Sequence, residues 1–347
     1  MHRRGFISTA ALAGGALLAP NPSFSEPVQS AGLIKPKALA KGDTIGLITP
    51  ASAISRTAFE SSLSNLESLG FKVRHSPNMR VKKGFLAGTD AQRIDDLHSM
   101  FEDDTVAGIV CARGGYGSGR LVTKLDYELI RRNPKVFVGY SDITALHYAI
   151  HKMTGLVTFH GPVAASSFPK STERYFEDVV VKGKDKVKLS SVAADGSDKA
   201  FDHFTINPGE AAGALVGGNL SLMVAMLGTP YDLDFKDKIV FIEEIGESPY
   251  RIDRMLTQLL NSGKLREAAG LALGVFKGCE TRPDDTDFGD SLSLKEVLLD
   301  RLEGIGIPVA YGFPIGHIDE NATLPMGINA ELDTSKFTLT ILEKAVS

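Results

Sequence analysis

The stretch that decides the fold is Val136-Phe137-Val138-Gly139-Tyr140-Ser141-Asp142-Ile143-Thr144-Ala145-Leu146-His147. Residues 136–140 read as a short buried strand. Residues 142–153 read as a helix, stopped by Gly155. Ser141 stands at the junction. Upstream, the same unit repeats. Residues 45–49, 71–75 and 106–112 are strand-like. Phe59, Leu63, Leu66 and Leu69 form a helical stripe that Thr57 and Glu60 open as a capping box and Gly70 ends. Thr89 and Gln92 cap a second helix carrying Ile94, Leu97 and Phe101. Residues 121–132 read as a third, ending before Asn133-Pro134. Strands alternating with helices of this length predict a parallel sheet covered on both faces.

Downstream the pattern changes. Residues 169–210 are charged and poor in long apolar runs, and read as a crossover with a short edge strand at 179–181. Beyond it, strands at 239–242 and 271–276 mix with helices at 250–260 and 292–302. A terminal hairpin spans 328–343, with its turn at 333–335. The N-terminus carries Arg3-Arg4 followed by Phe6-Ile7, then an apolar stretch through Ala19 and a Pro20. That is the form of a twin-arginine export signal, with cleavage expected after Ser25. The expected organisation is a signal peptide over 1–30, an N-terminal α/β domain carrying the nucleophile over 33–168, a crossover over 169–210 and a C-terminal domain over 211–347. The signal predicts a periplasmic protein, or a cytoplasmic one if the signal does not function.

Composition excludes several classes. A net charge of −4 on 347 residues gives no basic field to hold nucleic acid. The apolar stretch of the signal is too short for a stable membrane span. Two cysteines, Cys111 and Cys279, lack metal-ligand spacing and read as buried free thiols, with a disulfide left open. No cofactor and no metal site is expected.

Chemistry gathers where parallel strands end. After strand 106–112 comes Arg113-Gly114-Gly115-Tyr116-Gly117-Ser118-Gly119-Arg120. It lacks the Lys-Ser/Thr of a phosphate-binding loop and the spacing of a dinucleotide fingerprint. It reads as an oxyanion loop or as a tight turn. Ser141 occupies the position of a nucleophile elbow, although Ile143 stands where a second glycine would be. Local pattern alone favours a helix N-cap. A serine nucleophile needs a base and an orienting acid. His317, in the turn-rich Gly312-Phe313-Pro314-Ile315-Gly316-His317, reads as a functional loop residue, and His160 as a residue lining the site. His147 and His151 point away along the helix. Glu243, Glu244 and Glu247 are the candidate acids.

These residues lie in blocks that together resemble the serine LD-carboxypeptidase family. The blocks are Gly114-Gly115-Tyr116-Gly117 through Arg120-Leu121, Gly139-Tyr140-Ser141-Asp142-Ile143-Thr144-Ala145-Leu146, His160-Gly161-Pro162, Gly217-Gly218-Asn219-Leu220, Glu243-Glu244 with Tyr250-Arg251-Ile252-Asp253-Arg254, and Gly316-His317 with Leu324-Pro325-Met326-Gly327. They run in order from about residue 40 to the end. The resemblance implies an α/β fold with a flavodoxin-like N-terminal domain, a mixed C-terminal domain with a small β-barrel, and often a homodimer. It implies a triad of Ser141, His317 and Glu243, with Glu244 the second choice for the acid. Backbone amides of Asp142 and Gly115 match the oxyanion donors, with Gly114 as an alternative. Arg113, Gly114, Tyr116 and His160 are the substrate-binding candidates. The implied substrate is a murein-derived tetrapeptide that loses its terminal D-alanine. A branch of the family cleaves peptide–nucleotide conjugates such as processed microcin C. Absence of tryptophan and the export signal lean away from that branch. A non-catalytic periplasmic binding protein on two α/β lobes is the alternative of a different class, with a nucleotide-dependent oxidoreductase a weaker third.

Overall fold

A computed structural model describes residues 32–192, 198–281 and 291–347. The expected signal peptide over 1–30 falls outside these residues. The first half builds β1 (Thr44–Ile48), α1 (Arg56–Ser68), β2 (Lys72–His75), α2 (Asp90–Glu102), β3 (Val106–Cys111), α3 (Tyr127–Arg132), β4 (Val136–Gly139), α4 (Thr144–Thr154), β5 (Phe159–His160) and α5 (Lys170–Phe176). Strands β2, β1, β3, β4 and β5 lie side by side in that order and all run parallel. This is the flavodoxin-like order, in which the chain reverses direction across the sheet beside β1 and opens a crevice at the strand ends. The interior strands are buried on both faces, hence their unbroken apolar runs.

The second half adds β6 (Val187–Ser190), β7 (Phe204–Asn207), β8 (Glu210–Asn219), α6 (Leu220–Met226), β9 (Lys238–Ile245), α7 (Pro249–Asn261), α8 (Lys264–Glu267), β10 (Gly270–Lys277), α9 (Leu294–Leu302), β11 (Val309–Gly316), β12 (Leu324–Pro325), β13 (Asn329–Asp333) and β14 (Thr338–Ile341). Eight of its strands form a mixed sheet, β6-β14-β13-β8-β9-β10-β11-β7, with β8 through β11 parallel. Strand β12 instead returns to the first sheet and pairs antiparallel with β5. One continuous apolar core runs through both halves.

Several expectations are corrected. The small barrel does not close among the described residues. Strand β7 takes the outer edge of β11 over Val309–Tyr311, and among the described residues after β6 it is one backbone bond, Val192 N–H to the Gly312 carbonyl at 2.9 Å, that reaches β11. Residues 179–181 are not an edge strand but part of a π-helical turn, Glu177–Val181, that continues α5. Val179 and Val180 are buried there, so packing overrides their β-branched preference. The helix read over 121–132 starts late. Ser118–Arg120 and Val122–Lys124 are 3-10 turns, Leu125 is extended, and Asp126 caps α3 by accepting from Leu129 N–H. The cap of α1 is Ser55, accepting from Ala58 N–H, rather than Thr57. The capping box of Thr89 and Gln92 on α2 is present as expected.

Thr89→Ala removes the acceptor for the Gln92 N–H and half of that box. The variant should lose about 1 kcal/mol on urea unfolding with an unchanged denaturant slope. An unchanged midpoint would mean that the box does not hold α2.

Candidate active site

Strand β4 ends at Gly139, and the chain turns sharply into α4. Ser141 makes that turn with φ of +64°, a left-handed conformation that a non-glycine residue adopts only when its surroundings impose it. Ser141 is therefore an elbow and not a cap: its side chain bonds no helix N–H, and its hydroxyl has no hydrogen bond among the described residues. Ile143 does not obstruct the turn. Gly139 makes room for it, because a Cβ there would lie 2.9 Å from the Ile143 side chain. Asp142 is buried and ties the turn to the glycine loop. Its carboxylate accepts the Ser118 N–H at 2.8 Å, and its carbonyl accepts the Ser118 hydroxyl.

The loop after β3 packs on the serine. A Cβ on Gly114 would lie 3.0 Å from Ser141 Cβ and 3.2 Å from its Oγ. Ser52, from the loop after β1, accepts the Tyr116 N–H at 3.0 Å. Tyr116 itself is exposed and meets the exposed Phe85 edge-to-face at 5.4 Å. Arg113 is exposed, and one of its guanidinium nitrogens donates to the Ala53 carbonyl at 3.0 Å.

Across from the serine, Glu243 and His317 form a buried pair. Glu243 sits on β9 and is 0% exposed, and its Oε2 lies 2.7 Å from His317 Nδ1. His317 directly follows β11, and its side chain is 13% exposed. Its ring lies 4.7 Å from that of Tyr140, the residue before the serine. Gly316, with φ of +118°, permits the approach: a Cβ there would fall 2.9 Å from Glu243 Cβ and 3.0 Å from Oε2. Asn321 holds the same turn by accepting the Gly316 N–H at 3.1 Å.

Glu244 points the other way, as alternate strand residues must. Its carboxylate accepts from Asn219 Nδ2, from the Ser221 N–H and hydroxyl, and from the Ile245 N–H, at 2.7–2.9 Å. Its bonds fix the start of α6 and do not reach His317. Glu247 pairs with Arg251 at 3.2 Å.

Electrostatics follow from these contacts. Burial alone would lower the proton affinity of His317. The charge and hydrogen bond of Glu243 outweigh burial and raise it above the ordinary imidazole value. His160, expected to line the site, is fully buried beneath Tyr140, and burial holds it well below that value. It touches no open cleft. His147 is also buried, pushed down by burial to about 4, and its Nε2 lies 2.8 Å from the Gly139 carbonyl. His151 bonds the Leu156 carbonyl through Nδ1. Cys111 and Cys279 are buried and free, and burial pushes both thiols up. Among the described residues no cluster of three or more His, Cys, Asp or Glu side chains could hold a metal ion. Among the same residues no helix is long and apolar enough to cross a membrane.

Sequence reading missed three residues that shape the site. Ser118 and Asn321 carry no pattern that distinguishes them from ordinary loop residues. Arg93 does: it falls on the buried stripe of α2 with Leu97 and Met100, at helical spacing, where a charge is out of place.

A left-handed serine at a strand-to-helix turn, backed by a glycine loop and faced by an imidazole–carboxylate pair, has the parts that serine hydrolases assemble on unrelated folds. The comparisons narrow this class. The LD-carboxypeptidase N-terminal domain matches residues 45–161, and the LD-carboxypeptidase C-terminal domain matches residues 212–332. The chain belongs to the LD-carboxypeptidase family, whose members are serine-type peptidases. It is 43% identical over 315 residues to a probable murein peptide carboxypeptidase of Bacillus subtilis, covering 90% of this chain and 95% of that one. Its fold is similar to an MccF-like protein of Bacillus anthracis, with a TM-score of 0.77 and 31% identity, over 89% of this chain and 99% of that one. It is also similar to a muramoyltetrapeptide carboxypeptidase of Oxalobacter formigenes, with a TM-score of 0.73 and 29% identity, over 86% and 97%.

The His317 titration tests the pair directly. By nuclear magnetic resonance, its imidazole should titrate above the ordinary value of about 6.5. Glu243→Gln removes the charge that raises it and leaves the burial that lowers it. The titration should then move below that value. An unmoved titration would show that Glu243 does not set it.

Proposed function

We propose that the protein hydrolyses the L,D peptide bond of murein tetrapeptides and releases the terminal D-alanine. Ser141 is the nucleophile, His317 the base and Glu243 the acid that orients it. The observation that carries this reading is the fully buried Glu243 carboxylate at 2.7 Å from His317 Nδ1, opposite a serine held in a left-handed turn. The substrate class is supported by the relatives named as murein peptide carboxypeptidases.

With its Nδ1–H donated to Glu243, neutral His317 keeps the lone pair on Nε2. That nitrogen takes the hydroxyl proton as Ser141 Oγ attacks the scissile carbonyl carbon. The oxyanion meets the backbone amides of Gly115 and Asp142, at the N-terminal end of α4, where the helix dipole adds positive potential. Collapse breaks the carbon–nitrogen bond. His317 returns the proton to the departing amine of D-alanine. Water, deprotonated by the same imidazole, then attacks the Ser141 ester; the bond from the acyl carbon to Oγ breaks, the imidazolium returns its proton to Oγ, and the shortened peptide leaves and ionises to a carboxylate. Arg113, exposed beside the loop, is the candidate partner for a substrate carboxylate. The twin-arginine-type start, Arg3-Arg4 with Phe6-Ile7, supports a periplasmic setting for this reaction, on peptides of the wall.

Ser141→Ala should reduce D-alanine release, scored by mass, on the order of a million-fold. Full turnover by the folded variant would refute the assignment. The base must be neutral to work, so kcat/KM should rise with pH through the elevated His317 value and level off above it. A profile flat from pH 5 to 8 would contradict a histidine base. Cleavage of an aminoacyl-nucleotide with no release from tetrapeptide would transfer the protein to the conjugate branch.

A further inference from the structure

Arg93 is among the largest side chains that the fold buries completely. It lies in the first turn of α2, and its guanidinium is 0% exposed. One terminal nitrogen donates to two carbonyls at once, that of Pro50 at 2.6 Å and that of Gly117 at 2.8 Å. The other donates to Asp90 Oδ1 at 2.7 Å. Asp90 also receives Arg120, at 3.0 Å, and Lys124, at 3.2 Å. One carboxylate thus anchors the buried guanidinium and the chain just past the glycine loop.

One carbonyl belongs to the loop that packs on Ser141, and the other to the segment that holds that loop. Pro50 follows β1, and two residues on, Ser52 accepts the Tyr116 N–H at 3.0 Å and gives its own N–H to the Gly114 carbonyl at 3.4 Å. Gly117 leads into Ser118, which is bonded to Asp142. Residues 114–118 are therefore strung between the peptide next to the nucleophile and a buried cation. Gly117 has φ of +120°, and a Cβ on it would lie 2.9 Å from the Arg93 nitrogen and 2.4 Å from Leu86, so the loop seats there only as glycine.

Stability alone does not explain the choice of residue. Desolvating a cation is costly, and apolar residues of similar volume often replace buried ion pairs without loss. What an apolar residue cannot do is fix the direction of two carbonyls and so the peptide planes beside them. A planar fork with fixed donor directions does this, whereas a lysine is a point charge on a flexible stem.

We propose that Arg93 is a positioning residue for the hydrolysis: it locks the glycine loop so that the Gly115 amide faces the carbonyl oxygen as negative charge develops there. This rests on the serine-hydrolase reading above. The test compares the wild-type protein with Arg93→Lys, Arg93→Met and Asp90→Asn. Each is assayed for D-alanine release from murein tetrapeptide and for the rate of Ser141 labelling by a phosphonate, whose phosphoryl oxygen faces the same amides. Urea unfolding shows which variants are folded.

Arg93→Lys should lower kcat ~10- to 100-fold with KM held within ~threefold, because the interaction is made with the transition state. The labelling rate should fall in parallel. Arg93→Met should fall at least as far, and Asp90→Asn, which keeps the guanidinium, by less. A folded Arg93→Lys or Arg93→Met protein with wild-type kcat and labelling rate overturns the proposal. So does a rise in KM alone. If neither folds, wild-type kcat in Asp90→Asn overturns it. A wild-type protein that is labelled but releases no D-alanine removes the murein substrate and leaves the proposal testable by labelling. One that is not labelled at Ser141 at all removes the serine-hydrolase reading itself.

Discussion

The second half of the molecule is arranged around a buried carboxylate. Glu243 has no exposed surface, its Oε2 meets one partner, His317, and its Oε1 has none among the described residues. A buried charge survives only beside a partner. Strands β9 and β11 deliver that partner. They flank β10 and run parallel, so a residue near the end of one strand can meet a residue just past the other. Gly316 lets the two backbones approach, and Asn321 ties the turn down. The interaction raises the proton affinity of one imidazole and engages its Nδ1, so that Nε2 takes no part in the pair.

The first half answers with strain of its own. Ser141 holds a backbone conformation that costs roughly 1–3 kcal/mol. Asp142, bonded twice to Ser118, and the packing of Ile143 on Gly139 supply the surroundings that enforce it. The open flavodoxin-like sheet puts the loops after β1, β3 and β4 at one edge, and the crevice there is where such sheets take ligands. The halves share one core, so the serine on one sheet and the histidine on the other are held as parts of one body.

The parallel sheet was legible because buried strands and capped helices alternate without interruption through residue 155. The Ser141 junction was visible for the same reason, although its left-handed turn was not: a helix cap fits the local letters better. The pairing of Glu243 with His317, 74 residues apart, came from the resemblance and from no periodicity. The approach to His317 was misread as a loop. Residues 312–316 are buried strand. Gly312, Pro314 and Gly316 are tolerated there because the register with β10 shifts between Leu273 and Val275, opening a bulge where a missing N–H is not missed. His160 was misplaced because a histidine at a strand end looks solvent-facing until Tyr140 and Phe241 are seen to cover it.

The central claim is that Ser141 is activated from the far sheet by the Glu243–His317 pair. Labelling the intact protein with a fluorophosphonate and mapping the adduct by peptide mass spectrometry tests it most directly. The account predicts a single adduct on Ser141 whose formation slows sharply in His317→Ala and in Glu243→Gln. An adduct on another serine, or labelling of Ser141 at an unchanged rate without the histidine, would contradict it.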